Sequence, residues 1–305
     1  MQFTYRNPER STTPSRILDS AASLVVGAWP YAAPVAAISP TPERPIGEVA
    51  AYAWRDHYRD LRLALDTIAD ALRANGWLAR VVADDNALVD RAAAVRAGLG
   101  WAGKNSNVLL PGRGSWFVLG AVVTNAALPP SVEVVDQCGA CRQCIDGCPT
   151  GAIVADGVVD ARRCLAWLLQ ADGDFAPEFR KSLGTRLYGC DDCQTVCPPS
   201  RDSPTDPLGD EITGYDLLEL LTADEEALMA AVGRWYIPKR DPHYVRRNAL
   251  VALGNSDILP VAQTQTSEVL TAYVRNGEAS SADESEQMLA RHARWAADEL
   301  GLDIN

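Results

Sequence analysis

All eight cysteines of this chain fall between positions 138 and 197. Cys138, Cys141, Cys144 and Cys148 form C-x2-C-x2-C-x3-C followed by Pro149. This is the bacterial ferredoxin run, in which the first three thiolates hold one iron–sulfur cluster and the fourth serves another. A second run, Cys190, Cys193 and Cys197 followed by Pro198, lacks one upstream cysteine, and Cys164 is the one left to supply it. The count then closes on two [4Fe–4S] clusters. Cys138, Cys141, Cys144 and Cys197 hold one, and Cys148, Cys164, Cys190 and Cys193 hold the other. Paired CxxC motifs also build structural zinc sites, but zinc does not account for the repeated Cys-Pro endings. Between the runs, GAIVADGVVD reads as the small hairpin that separates two ferredoxin halves.

Two clusters alone make an electron carrier, and the residues in front of them imply somewhere for the electrons to go. That stretch has no GxGxxG after its first strand and no Walker loop, so neither nicotinamide nor nucleotide is indicated. Its chemistry-bearing residues are Asp84 and Asp85, followed by the glycine-rich loop GLGWAGKNS. By residue type alone, Asp84-Asp85-Asn86 is an Asx-turn or N-cap ahead of a helix over Ala87–Ala97. Gly98, Gly100 and Gly103 suit either a tight turn or the close approach of a planar cofactor. Lys104 suits a cofactor amide, an RNA phosphate or solvent. Trp101, Trp116 and Phe117 suit stacking on a cofactor or burial in a strand.

The elements that must position these residues follow from periodicity. Ser23 to Tyr31 reads as a strand. A helix follows at about 54–75, with Leu61, Leu65, Ile68 and Leu72 at helical spacing and Asn75-Gly76 as its stop. Trp77 to Ala83 and the segment from Ser115 read as further strands, an alternation that suggests an α/β or α+β domain. After Pro198-Pro199 the segments Leu217–Leu221, Glu225–Val232, Val245–Leu253, Ser267–Tyr273 and Gln287–Leu300 read as helices, with 280–286 as an exposed loop. His57 belongs to a helix and is not a metal ligand. Lys239, Arg240, Arg246 and Arg247 gather near Tyr236 and Tyr244. This basic and aromatic cluster suits an RNA backbone and unstacked bases.

The chain has 305 residues, 47% of them hydrophobic, and a formal net charge of −12. Such a charge argues against indiscriminate binding to nucleic acid or anionic membrane. No apolar run reaches the ~18 residues a bilayer span needs, and the start lacks a secretory h-region. A cytoplasmic location is expected, where thiols stay reduced and available to metal.

The stretch DDNALVDRAAAVRAGLGWAGKNSNVLLPGRGSWFVLG, followed by CxxCxxCxxxCP, RRCLAWL and YGCDDCQTVCP, resembles the epoxyqueuosine reductase family. The resemblance runs from about residue 4 to the end and is densest over residues 82–200. It implies a cobalamin-dependent oxidoreductase with two clusters that reduces the epoxide of epoxyqueuosine in tRNA to the alkene of queuosine. It also implies recognition of the tRNA anticodon loop, a low-potential electron donor of unidentified kind, and a monomer. Carried onto this chain, the resemblance makes Asp84 the proton donor, with Asp85 one register away. Val108, Leu119, Val122, Leu165, Asp191 and Asp192 become corrin contacts. The fold expected is α+β in three units. Residues 1–133 form an α/β-type corrinoid-binding domain, 134–203 a ferredoxin-like two-[4Fe–4S] module, and 204–305 a short helical, solenoid-like (HEAT-like) region. Family members usually carry several tens of residues before the point where this chain starts, so the first unit is expected to lack its N-terminal segment.

Two rival functions come from other classes. One is a corrinoid iron–sulfur reductase of a small molecule, reductive dehalogenase-like, whose relatives often bear export signals and use a tyrosine as the donor. The other is a non-catalytic ferredoxin-type electron carrier fused to a degenerate binding domain.

Overall fold

A computed structural model describes residues 8–31, 44–202, 214–258 and 260–304. The short helix α1 (Pro8–Ser11) leads to strand β1 (Ser23–Pro30), then β2 (Ile46–Val49), helix α2 (His57–Ala74), β3 (Ala79–Ala83) and α3 (Asp90–Arg96). A two-stranded ribbon, β4 (Trp101–Ala102) with β5 (Val108–Leu109), precedes the long strand β6 (Phe117–Thr124). The sheet order is β1-β6-β3, with both pairings antiparallel and Ala121 opposite Val26 on one side and Val82 on the other. β1 and β3 therefore run parallel to each other with α2 between them, as the alternation in sequence predicts. β6 then inserts between the two strands. This split βαβ unit makes α+β the correct class and corrects the α/β-type expectation for the first unit.

β6 is apolar along its length because both its faces are covered. On one face α2 lays Leu61, Leu65 and Ala69, all nearly solvent-free. Leu65 seats in a notch left by two glycines. A Cβ on Gly120 would meet Leu65 Cδ1 at 2.9 Å, and one on Gly27 would meet Leu65 Cδ2 at 3.0 Å. Ile68, expected on this stripe, is 39% exposed. The inward row is the i, i+4, i+8 line, and Ile68 falls just off its edge. Asp56 caps the helix by accepting from Arg59 N, and Asn75 with Gly76, at φ +82°, ends it where the sequence places the stop. The following strand is shorter than expected, since Trp77 and Leu78 stay exposed outside it.

The cysteine segment contains α4 (Gln143–Asp146), the hairpin β7 (Ile153–Ala155) with β8 (Val158–Val159), and α5 (Leu165–Leu168). It continues through α6 (Pro177–Leu183), β9 (Arg186–Tyr188), α7 (Asp192–Thr195) and α8 (Pro198–Arg201). The hairpin lies where the sequence placed it. After strand β10 (Gly214–Asp216) come α9 (Leu217–Thr222), α10 (Glu225–Val232), α11 (His243–Gly254), α12 (Pro260–Glu278) and α13 (Glu284–Leu300). α13 starts inside the expected loop because Asp283 and Glu286 form a reciprocal capping box. No helix among the described residues is long and apolar enough to cross a membrane.

A second sheet joins all three expected units. β2 pairs in parallel with β9 and antiparallel with β10, giving the order β10-β2-β9. α11 packs beneath this sheet and against α9 and α13, with every residue from Tyr244 to Gly254 buried except Arg246.

Candidate active site between the sheet and the cysteine segment

The two cysteine runs fold as matching turns, each sending a short helix, α4 or α7, out of its CxxC. This brings together thiols that are far apart in sequence. Burial raises the pKa of Cys144, and the next largest causes are its neighbours Cys197, Cys138 and Cys141. Burial likewise raises Cys193, with Cys164 its strongest charged neighbour. Thiols crowded away from water resist ionisation, and a cationic metal centre supplies the charge that offsets this. Among the described residues no three His, Cys, Asp or Glu converge on a single ion, whereas a cubane takes each thiolate at a different iron. Donors also aim at the sulfurs. Ala152 N donates to Cys148 Sγ at 3.2 Å and Trp101 Nε1 to Cys138 Sγ at 3.4 Å. Cys141 is exposed, while Cys144 and Cys197 are buried.

A cleft of about 1040 Å³ opens between the β1-β6-β3 sheet and this segment. Ligand pockets commonly measure roughly 300–1,000 Å³, so this one has room for a large cofactor. Cys148, Cys164, Cys190 and Cys193 all reach its wall, and Val108, Leu119 and Leu165 give it an apolar side. Asp191 and Asp192 line it as well, each already bonded. Asp191 accepts from Ala51 N at 2.7 Å and from Gln194 Nε2 at 3.0 Å. Asp192 accepts from Arg186 at 2.6 Å. Burial is the main cause that lifts Asp191 to about 6.

Val122 is a correction. It is fully buried in the core against α2 and does not line the cleft. Leu119 and Val122 lie three positions apart on one strand, so they point to opposite faces.

Asp84 stands on the cleft wall at a turn of the chain, with φ +53°. A non-glycine residue in this region stores roughly 1–2 kcal/mol of strain. The turn is tied down by Ser11, whose hydroxyl donates to Asn86 O at 2.5 Å and whose carbonyl accepts from Val89 N at 3.2 Å. Asp85 makes the Asx-turn, accepting from Ala87 N at 2.8 Å. The helix starts at Asp90 instead of Ala87, and its cap position, Val89, has no side-chain bond. Asp84 is therefore not a cap. Its pKa is raised mainly by loss of water on its protein side, opposed by Arg62 and aided by Asp85 and Asp56.

Asp90 is the acid that sequence reasoning missed. It lines the same cleft, and its Oδ1 is shut away from solvent with no hydrogen-bond partner. In sequence it looks like any acid in a helix's first turn, and only the fold reveals its burial. Tyr58 of α2 lines the cleft beside these acids, its phenol held protonated by burial and by Asp84 and Asp90.

Several other expectations change. Gly98, Gly100 and Gly103 back onto the protein itself. Added Cβ atoms would strike Val132 O at 2.2 Å, Leu109 O at 2.0 Å and Asn105 Oδ1 at 2.7 Å, so the loop is a tight turn. Lys104 braces the cysteine segment, donating to Gly139 O at 2.8 Å and pairing with Asp156 at 3.2 Å. Of the three aromatics, Phe117 reaches the cleft. Trp101 and Trp116 are buried, the latter donating to Ser200 O at 2.9 Å. Arg247 has no exposed surface and donates to the carbonyls of Leu168, Leu169, Ala171 and Gly173. It cannot dock RNA. Arg246 turns back to Ala223 O at 2.9 Å, and Tyr244 is buried. Tyr236 instead lines the cleft.

Residues 137–200 match the family described as a 4Fe-4S double cluster binding domain. The chain is 35% identical to the epoxyqueuosine reductase of Vibrio cholerae over 80% of its own length and 65% of that protein. It is 34% identical to the epoxyqueuosine reductase of Xanthomonas campestris over 83% of its own length and 71% of that protein. The chain belongs to the epoxyqueuosine reductase family. It spans about two thirds of the length of these curated relatives. A crystal structure of epoxyqueuosine reductase with an epoxyqueuosine-modified tRNA stem loop superposes with a TM-score of 0.81 at 30% identity. That match covers 97% of this chain and 86% of the other. The fold of this epoxyqueuosine reductase relative is thus the family's mixed α/β architecture, and its cysteine segment is the family's double-cluster domain.

Proposed function

We propose that this chain reduces the epoxide of epoxyqueuosine in tRNA to the alkene of queuosine, using cobalamin bound in the cleft and two [4Fe–4S] clusters. One observation carries the reading: a single large cleft is bounded by four thiols on one wall and by Asp84 on another. In this assignment Cys138, Cys141, Cys144 and Cys197 hold the outer cluster, and Cys148, Cys164, Cys190 and Cys193 hold the one against the cleft. The exposure of Cys141 makes the outer cluster the point of entry for electrons from a low-potential donor.

Val108, Leu119 and Leu165 supply the apolar surface on which a corrin would rest, and Asp191 and Asp192 frame its edge. Bound cobalamin would supply a low-valent cobalt that delivers reducing equivalents to the epoxide. Asp84, whose pKa is raised mainly by burial, would give a proton to the opening oxygen. The apolar wall excludes water that would otherwise compete for the site. The tRNA anticodon loop is the proposed partner, presenting its base at the cleft mouth. We assign residues 1–133 to corrin binding, 134–203 to the clusters and 204–305 to a HEAT-like support, in a monomer.

The test is mass spectrometry of nucleosides from epoxyqueuosine-containing tRNA treated with the reconstituted, reduced protein. Conversion to queuosine is expected. Full retention of the epoxide with both clusters and cobalamin bound overturns the proposal.

A further inference from the structure

We propose that Asp90 holds the second proton of this reaction, released in the cleft after Asp84 has given the first. This inference rests on the reaction proposed above. Turning an epoxide into an alkene breaks both carbon–oxygen bonds, forms the carbon–carbon double bond and expels the oxygen as water. The balance requires two electrons, which the clusters and cobalamin would carry, and two protons. Asp84 accounts for one proton.

Asp90 has the geometry of a group built to keep a proton. It opens α3 on the cleft wall, six residues beyond Asp84, and its Oδ1 is buried with no partner. A bare carboxylate oxygen in that position is costly, and a neutral carboxylic acid is not. Asp84 and Asp85 come from the preceding turn and disfavour a further negative charge, and Tyr58 on α2 is itself neutral. Arg91, its neighbour in α3, opposes them, and Arg62 on α2 acts on Asp84. Burial first, then Asp84 and Asp85, lift Asp90 to about 7, so it exchanges its proton at the pH of the reaction. Asp85 does not share this role, because its carboxylate is committed to the Asx-turn.

The test compares the reconstituted holoprotein with Asp90→Asn and Asp90→Glu variants. Infrared titration of the wild type should show a protonated carboxyl band lost near pH 7, and the band should be missing from Asp90→Asn. Wild-type turnover should fall as pH rises through that value. Asp90→Asn should lose this limb and turn over about a hundredfold more slowly, while Asp90→Glu restores the limb. Stability gives a readout independent of turnover. The folded protein keeps a proton that the unfolded chain releases above 3.8. Asp90 therefore costs stability as pH rises from there through its folded pKa. Asp90→Asn should unfold later than wild type at about pH 8 and together with it at about pH 4. Wild-type turnover and an unchanged pH profile in Asp90→Asn overturn the role. A wild type with turnover but no such band overturns it too. A wild type with the band but without turnover overturns the reaction, and this role with it.

Discussion

Asp84 and Asp85 are adjacent carboxylates that the fold uses differently, which makes them a matched pair for substitution. Asp84→Asn keeps the shape of the side chain and, like aspartate, tolerates the positive φ, but it has no acidic proton to give. Both clusters and cobalamin should still load, while epoxide reduction in a single-turnover assay falls by ~10²–10⁴-fold. Asp85→Asn retains an oxygen for the bond from Ala87 N, so its turnover should stay near that of the wild type. A collapse in Asp85→Asn with normal turnover in Asp84→Asn would reverse the assignment. Trp101 supports a second residue-level prediction. Its indole N–H donates to Cys138 Sγ at 3.4 Å, and hydrogen bonds to cluster sulfurs stabilise the reduced, more negative state. Trp101→Phe should lower the potential of one cluster in a redox titration followed by electron paramagnetic resonance and leave the other in place. Equal potentials in both proteins would show that this contact does not tune the cluster.

At the scale of elements, α11 changes meaning between sequence and structure. Its run PHYVRRNAL carries charges that suit a solvated face, yet Arg247 points inward and satisfies carbonyls at the end of α5. Each hydrogen bond to a charged group is worth about 1.5–3 kcal/mol, and orphaned buried carbonyls add their own cost. Arg247→Ala should therefore destabilise the protein by roughly 3 kcal/mol or more, measured by chemical denaturation. RNA binding should decline only in step with the folded fraction. Nothing local in the sequence separates such an arginine from a surface one, because the carbonyls it satisfies lie more than seventy positions away. The cysteine runs were legible for the opposite reason, since their ligand spacings and the hairpin between them are local. The face of Val122 was also legible, through the two-residue period of β6, but the resemblance that made it a corrin contact overrode that period. β2, β9 and β10 could not be read, because strands of three or four residues carry too little pattern.

Across the whole molecule, the two cysteine sets are interleaved. In the proposed assignment, the last cysteine of each run serves the other run's cluster. Anaerobic reconstitution should bind roughly eight iron atoms per chain, as two cubanes require. Cys164→Ala should cost close to half the iron, because that thiol is proposed to serve one cluster only. A Cys164→Ala protein with full iron content, or tetrahedral zinc in place of iron, would overturn the ligand assignment. The β10-β2-β9 sheet has a consequence for how the protein is made. β2 leaves the ribosome early, but its partners at residues 186–188 and 214–216 follow only after every cysteine but three, and then all of them, have been synthesised. Until then both edges of β2 are open, and an open edge invites pairing with other chains. A nascent chain stalled within the cysteine segment would be aggregation-prone even with its first sheet complete. β10 can close that small sheet only after all eight cysteines have been synthesised and are available to iron.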